Sequence, residues 1–143
     1  MANDFSGFLP AIPMIRIGDD GKAFIMGSHC RNCGETVPGE RMACASCGKR
    51  ETIEPVRLGT KGTLYNYTIV HRSYPGVKVP FVSAIVDLEG GGSLRGTLAE
   101  VEPDPAQLPW NMPVNVVFRD SGQTNPEGKP FVSYLFVPAQ GEA

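Results

Sequence analysis

Four cysteines with paired spacing are the residues of this sequence best suited to chemistry. Cys30 and Cys33 form one C-x-x-C pair, and Cys44 and Cys47 form a second pair after ten intervening residues. Each pair can fold into a knuckle that turns both sulfurs inward, and two knuckles supply four thiolates in the tetrahedron that zinc takes in structural sites. A glycine follows each pair, where a knuckle needs freedom in φ. The spacing therefore predicts a structural zinc site.

Two alternatives stay open for the same sulfurs. Iron binds the same ligand set in rubredoxin-like sites, and the sequence does not separate the two metals. Disulfides are the other alternative, although four cysteines in a compact set favour metal in a reducing compartment. His29 precedes the first pair and is interpreted as a solvated neighbour. Because four ligands close the metal shell and use every cysteine, the sequence predicts no cysteine nucleophile and no catalytic residue in this chain.

Length and charge narrow the classes of protein. The chain has 143 residues, with 13 Lys and Arg against 15 Asp and Glu, for a formal charge of −2. This balance argues against nucleic-acid binding, because binding to the phosphate backbone requires clustered positive charge. Nucleic-acid binding by a ribbon–barrel protein nevertheless stays open as an alternative function. No stretch approaches the ~20 apolar residues of a membrane span, and no secretory signal is visible. We therefore expect a cytoplasmic protein with no membrane segment.

The pattern after the cysteines is typical of strands. Apolar residues alternate with polar ones in five segments that begin near positions 63, 81, 93, 114 and 132. In the first segment this alternation places Tyr65 and Tyr67 on one face and Leu64 on the other. Asp104 followed by Pro105 predicts a single helical turn between the third and fourth segments. Five short strands with a break after the third predict a Greek-key barrel of the OB type, with a five-stranded sandwich as the alternative.

The predicted organisation is mainly β and has three parts. Residues 1–27 form an apolar arm and a short hairpin, and the arm is interpreted as a segment that seeks a partner surface. Residues 28–52 form the zinc ribbon, which has too few large apolar residues to fold without metal. Residues 53–143 form the OB-fold domain.

The order of these features resembles a known family, in which a rubredoxin-like zinc ribbon precedes an OB-fold domain in small acyl-CoA-associated proteins. The resemblance covers roughly residues 28–137. Its members act as partner subunits of thiolases, thiolase-like lipid-transfer aldolases and related condensing enzymes that act on CoA thioesters. It is carried here by the double C-x-x-C motif, by the run GTLYNYTIVHR at 62–72, and by segments 80–82, 94–96 and 112–118.

This resemblance implies a zinc-containing, non-catalytic subunit of a thiolase-type acyl-CoA complex, which stabilises its catalytic partner and helps to hold the CoA thioester. The partner it implies first is a thiolase of aromatic-compound breakdown, such as the one that cleaves benzoylsuccinyl-CoA. A heterotetramer is expected because thiolases tend to dimerise. Arg72, Lys78 and Arg95 are candidate contacts for CoA phosphates, since guanidinium and ammonium groups suit that task. A stand-alone CoA-binding module is an alternative function for the chain. The alternative role for each of the three residues is a solvated surface charge.

Overall fold

The computed structural model describes residues 4–139 and folds them mainly into strands. A single 3-10 turn, Pro105–Gln107, begins where the sequence predicts it, and the Asp104 carboxylate caps it by accepting the N–H of Ala106 at 3.0 Å. Within the described residues no helix is long and apolar enough to cross a bilayer. The strands are β1 (Leu9–Pro10), β2 (Ile15–Ile17), β3 (Ala23–Cys30), β4 (Thr36–Pro38), β5 (Ile53–Arg57), β6 (Lys61–Val70), β7 (Phe81–Leu88), β8 (Ser93–Leu98), β9 (Pro113–Thr124) and β10 (Pro130–Pro138).

The chain divides into two compact units. The first, here called the ribbon unit, comprises the described residues up to Gly59 together with residues 90–92 and 118–133. The second, the barrel unit, comprises residues 60–89, 93–117 and the described residues from Tyr134. Strands β9 and β10 each contribute residues to both units. The boundaries predicted from the sequence at 27 and 52 stay a prediction.

Strand β3 organises the ribbon unit. It pairs antiparallel with β2, β4 and β5, so three short strands are held by one long one. Strands β2 and β3 form the short hairpin predicted within residues 1–27, and its turn has Gly21 at a φ of 80° that favours glycine. Ile15 and Ile25 stand directly opposite each other in this hairpin and are both buried, so they form part of the unit's core.

The N-terminal arm packs within its own chain. Phe5 is buried, its N–H donates to the carbonyl of Gly21 at 2.7 Å, and its ring meets that of Phe8 edge to face. Strand β1 then pairs parallel with β10, with Leu9 opposite Phe131. The expectation that the arm waits for a partner surface is therefore wrong for Phe5, whose side chain already lies in a core.

Strands β6 to β10 form a closed five-stranded barrel, as predicted. β6, β7 and β8 form an antiparallel meander, β9 pairs with β6, β10 runs parallel to β8, and a β9–β10 pairing closes the sheet. Closure excludes the open sandwich that the sequence left as an alternative, and it confirms the OB-type barrel. The barrel interior is apolar, and its buried side chains include Leu64, Val82, Ala84, Val86, Leu94, Leu98, Val114, Val116 and Phe136.

A β-bulge in β6 changes which side chains enter the barrel. The register shifts between Leu64 and Asn66, so Leu64 lies opposite Val86 whereas Tyr67 lies opposite Ala84. Directly opposite residues share a face of the sheet, and both β7 partners are fully buried. Leu64 and Tyr67 therefore face the same side. The alternation that placed them on opposite faces is wrong because the bulge inserts one extra residue.

Candidate metal centre

The four sulfurs converge on one point of the ribbon unit. All four Sγ atoms lie within 4.8 Å of one another. The Cys30 and Cys47 sulfurs are 3.7 Å apart, and those of Cys33 and Cys44 are 3.5 Å apart. Sulfurs bound tetrahedrally to zinc at ~2.3 Å lie about 3.8 Å from one another, so the cluster has the size that a four-thiolate metal requires. All four are free cysteines, so neither pair forms the disulfide left open above.

The two knuckles repeat one backbone pattern. In the first knuckle the N–H of Cys30 donates to the carbonyl of Glu35, and the N–H of Gly34 donates to the carbonyl of Cys30, both at 2.8 Å. The same two bonds recur in the second knuckle at 2.9 Å each. Gly34 and Gly48 have φ values of 85° and 82°, which explains why a glycine follows each pair.

Backbone N–H groups also point at the sulfurs. The N–H groups of Ser46 and Cys47 donate to the Cys44 sulfur at 3.3 and 3.4 Å. Cys30 receives the equivalent two N–H groups of the first knuckle. Because such donors stabilise negative charge on sulfur, they favour the thiolate form in which cysteine binds a metal.

Two side chains outside the C-x-x-C motifs reach the cluster. The Thr52 hydroxyl lies 3.1 Å from the Cys30 sulfur, and the Asn32 side-chain amide donates to the Cys47 sulfur at 3.6 Å. Thr52 is fixed beside the first knuckle because its carbonyl accepts the N–H of Arg31 at 2.8 Å. Neither residue was predicted from the sequence. Asn32 could have been identified by its place between paired cysteines, whereas Thr52 is found only from the tertiary fold.

These hydrogen bonds shift the cysteine pKa values. The Thr52 hydroxyl, followed by the backbone N–H of Cys33, lowers the pKa of Cys30 from 9.0 to about 6. The backbone N–H of Lys49, followed by the Asn32 amide, lowers the pKa of Cys47. The hydrogen bonds therefore shift both of these sulfurs toward the thiolate form in which cysteine binds a metal.

Cys33 shows the opposite behaviour. The backbone N–H of Glu35 acts to lower its pKa, but the neighbouring Cys44 sulfur and burial outweigh that donor and raise the pKa of Cys33 to about 11. Closely spaced sulfurs cannot all carry charge, so without metal they share protons. A cation at the centre would displace those protons, and its affinity would fall at low pH.

His29 lies beside the cluster without joining it. Its Nδ1 is 2.8 Å from the hydroxyl of Thr36, and the side chain is half-buried rather than solvated as expected. Among the His, Cys, Asp and Glu side chains of residues 4–139, the group that could hold a metal consists of the four cysteines and does not include His29. The histidine therefore has a hydrogen-bonding role in the β3–β4 pairing.

The three predicted CoA contacts occupy different positions in the barrel unit. Lys78 lines a groove of about 440 Å³ together with Val77 and Phe81. Arg95 is exposed on β8, two residues before Thr97, which lines the same groove. Its carbonyl accepts the Tyr134 hydroxyl. Arg72 lies in the exposed segment 71–80 but does not line the groove.

Comparison with known proteins finds relatives over most of the chain. Residues 55–119 match the family OB_ChsH2_C, the C-terminal OB-fold domain of ChsH2. A DUF35 domain-containing scaffold protein of Methanocaldococcus jannaschii is 29% identical over 118 residues, covering 81% of this chain and 82% of the relative. A scaffold protein of the same description from Pyrococcus furiosus is 30% identical over 116 residues, covering 80% and 82%.

Two further matches involve enzyme complexes. The benzoylsuccinyl-CoA thiolase subunit BbsA of Geobacter metallireducens is 30% identical over 118 residues, covering 82% of this chain and 77% of the relative. A solved structure described as Ltp2-ChsH2(DUF35) aldolase matches with a TM-score of 0.61 and 25% identity, covering 81% of this chain and 85% of that chain. With the cysteine cluster, the closed barrel and relatives spanning most of both chains, this protein belongs to the DUF35 OB-fold family of thiolase partners.

Proposed function

We propose that the chain is a zinc-containing, non-catalytic subunit of a thiolase-type complex acting on CoA thioesters, and that it stabilises the catalytic partner. One observation carries this proposal: all four cysteines of the sequence converge in one cluster of tetrahedral size. A metal held by four thiolates has no open coordination position, and no thiol remains to accept an acyl group. Bond cleavage at the thioester therefore belongs to the partner.

The relatives support the choice of partner. They include scaffold proteins, a thiolase subunit and an aldolase complex, and a thiolase or thiolase-like enzyme is the partner common to the last two. Because BbsA is a subunit of benzoylsuccinyl-CoA thiolase, a thiolase of aromatic-compound breakdown is the first partner to test. We propose a heterotetramer built on a thiolase dimer, since a symmetric pair offers two equivalent docking sites.

Exposed aromatic side chains of the barrel unit support a protein partner. Tyr65 and Trp110 are each 63% exposed, and Tyr74 is 82% exposed. Tyrosine and tryptophan are enriched among the residues that dominate binding energy at protein interfaces. The Trp110 ring lies 5.4 Å from that of Tyr67, centroid to centroid, so it is held in place before any partner binds. An ordered aromatic ring loses little conformational entropy on docking.

The barrel-unit groove supports a share in CoA binding. Its apolar walls, which include Val77 and Phe81, suit the pantetheine arm, and the Lys78 ammonium suits a phosphate. Arg95 lies on the same strand face as Thr97, about 7 Å farther along the strand by the usual rise per residue. Arg72 would have to reach the ligand from the exposed segment that also carries Lys78.

Calorimetry with CoA tests the groove, both on the free chain and on the complex. Lys78→Glu should weaken binding about tenfold or more in the complex, because a phosphate then meets a carboxylate. Lys22→Glu, an equal charge change at an exposed site of the ribbon unit away from the cysteines, is the matched control. Two results together would refute a role of this chain in CoA binding. The chain alone would bind no CoA, and complexes containing either variant would bind CoA with equal affinity.

The metal is tested by elemental analysis of the purified chain. We expect one zinc per chain, because a reducing cytoplasm keeps the four cysteines free of disulfides and able to bind a metal as thiolates. Cys33→Ser or Cys44→Ser should release the metal and unfold the knuckles, whereas Ser46→Ala, at an exposed position of the second knuckle, should not. Stoichiometric iron instead of zinc would correct the metal, and full retention of zinc by the cysteine variants would refute the ligand assignment.

The partnership is tested by co-expression with thiolases of the organism that carries this chain, taking first a thiolase of the benzoylsuccinyl-CoA type. We expect the two chains to purify together, light scattering to give the mass of two copies of each, and thiolysis of the CoA thioester to require both chains. Separate purification with a thiolase that is fully active alone would refute the proposal. A covalent acyl adduct on a cysteine of this chain would refute its non-catalytic role.

A further inference from the structure

Two side chains form hydrogen bonds to the Cys30–Cys47 pair of sulfurs, whereas the Cys33–Cys44 pair has no matching side-chain donors among the hydrogen bonds described above. Thr52 reaches the Cys30 sulfur at 3.1 Å, and Asn32 reaches the Cys47 sulfur at 3.6 Å. We propose that Thr52 and Asn32 are positioning residues of the metal centre, which hold the Cys30–Cys47 thiolate pair and set the affinity for the metal. The inference rests on the proposed zinc site and names the residues outside the ligand set that make it tight.

The backbone cannot account for this asymmetry. Both knuckles repeat the same N–H to carbonyl bonds and the same N–H to sulfur bonds. The residue of the second knuckle that corresponds to Asn32 is Ser46, and the bond that Ser46 makes to sulfur uses its backbone N–H. The difference between the Cys30–Cys47 pair and the Cys33–Cys44 pair therefore comes from side chains.

The two donors act in different ways. Four thiolates around one Zn²⁺ leave a net charge of −2, and a hydroxyl or amide proton directed at sulfur disperses part of it. Thr52 donates to a buried sulfur, where an unpaired charge would cost most. Asn32 donates from the first knuckle to a sulfur of the second, so it also links the two loops directly. Loss of such outer donors typically weakens metal binding ~10–100-fold.

Zinc competition on the full chain provides the first test. Thr52→Val removes the hydroxyl at nearly constant shape, and Asn32→Asp replaces the amide donor by a carboxylate of the same size. We expect each variant to bind zinc about tenfold or more weakly in competition with a chromogenic chelator. Thr52→Ser keeps the hydroxyl and should restore the affinity to within about twofold. Ser46→Ala is the matched control in the second knuckle and should leave the affinity unchanged.

Cobalt substitution supplies a readout that general destabilisation would not produce. A hydrogen bond lowers the energy of the sulfur lone pair, so its removal should shift the thiolate-to-cobalt charge-transfer band to lower energy in Thr52→Val and Asn32→Asp. Ser46→Ala should leave the band in place, and Thr52→Ser should return it toward the parent position. Circular dichroism of each cobalt-loaded chain checks that the compared proteins are folded, and Asn32→Ala replaces Asn32→Asp if the added charge unfolds the knuckle.

The outcomes separate this inference from the proposed function. A parent chain that binds zinc or cobalt, with variants that bind equally well and show an unshifted band, would overturn the role of Thr52 and Asn32 alone. A parent chain that takes up neither metal would overturn the metal centre and this inference with it. Weaker zinc binding together with the band shift in the donor-lacking variants would support both.

Discussion

The hydroxyl of Ser28 donates a hydrogen bond to the carbonyl oxygen of Gly39 at 2.7 Å. The same hydroxyl oxygen accepts the N–H of Arg41 at 3.1 Å, and the side chain is only 3% exposed. Ser28 lies in β3 just before the first knuckle, whereas Gly39 and Arg41 lie in the segment that leads to the second. One buried hydroxyl therefore fixes the connection between the two halves of the metal centre.

Ser28→Ala should lower the free energy of unfolding by about 1–3 kcal/mol, because the Gly39 carbonyl and the Arg41 N–H each lose a partner. Chemical denaturation of the metal-loaded chain measures this change. Ser46→Ala makes the same chemical change at an exposed position of the second knuckle and should alter the stability by less than about 0.5 kcal/mol. Equal stability of the two variants would show that the buried hydrogen bonds contribute nothing net.

Gly27→Ala should destabilise the ribbon unit by about 1–3 kcal/mol because there is no space for a β-carbon. A Cβ at this position would lie 2.6 Å from Cδ2 of Leu58 and 2.8 Å from the carbonyl oxygen of Val37. Leu58→Ala removes the first of these obstacles but leaves a cavity that costs about 2–5 kcal/mol by itself. The double variant should therefore be less destabilised than the sum of the single changes, as measured by a double-mutant cycle. Strict additivity would contradict the steric explanation.

Features set by local spacing could be predicted from the sequence. The cysteine knuckles depend on pairs three residues apart, and the glycine after each pair meets a φ requirement of the same local loop. Strands β7 and β8 have uninterrupted alternation, so their buried residues, such as Val82 and Leu94, follow directly from period two. In each case the physical requirement lies within a few residues of the motif that reveals it.

Features set by distant parts of the chain could not be predicted. The bulge in β6 depends on its register against β7, which no pattern within β6 reveals, so the alternation places Tyr67 on the wrong face relative to Leu64. The pairing of Leu9 with Phe131 joins segments at opposite ends of the sequence. Thr52 approaches Cys30 only because β3 and β5 pair. Long-range pairing decided each of these features.

Where the metal-free, reduced chain keeps its knuckles folded, its free energy of unfolding should be highest near pH 9. The pKa of Cys30 is lowered from 9.0 to about 6. Its contribution to the free energy of unfolding is therefore present above pH 9 and is lost as the pH falls through 6. The pKa of Cys33 is raised from 9.0 to about 11, so its contribution is present below pH 9 and is lost as the pH rises through 11. Chemical denaturation in chelator and reductant measures the profile. Cys30→Ser should flatten the acid side, and an unchanged acid side would refute the assignment.

Trp110→Ala should weaken binding of the thiolase partner by at least about tenfold in Kd. Trp110 is the single tryptophan of the chain, it is 63% exposed, and its ring is held against Tyr67. A preordered, exposed tryptophan has the properties of residues whose truncation costs ~2 kcal/mol or more at an interface. Surface-based binding measurements with immobilised thiolase give the affinity, and Met42→Ala, which removes an exposed apolar side chain from the ribbon unit, is the control.

A ¹⁹F NMR measurement shows whether Trp110 lies in the interface with the thiolase. With fluorotryptophan incorporated only into this chain, the single ¹⁹F resonance of Trp110 should shift when the thiolase binds, because the ring exchanges water for protein surroundings. The partner's own tryptophans carry no fluorine and do not interfere. A complex of confirmed stoichiometry in which the resonance stays in place, and in which Trp110→Ala binds as tightly as the parent, would show that the partner docks on another surface.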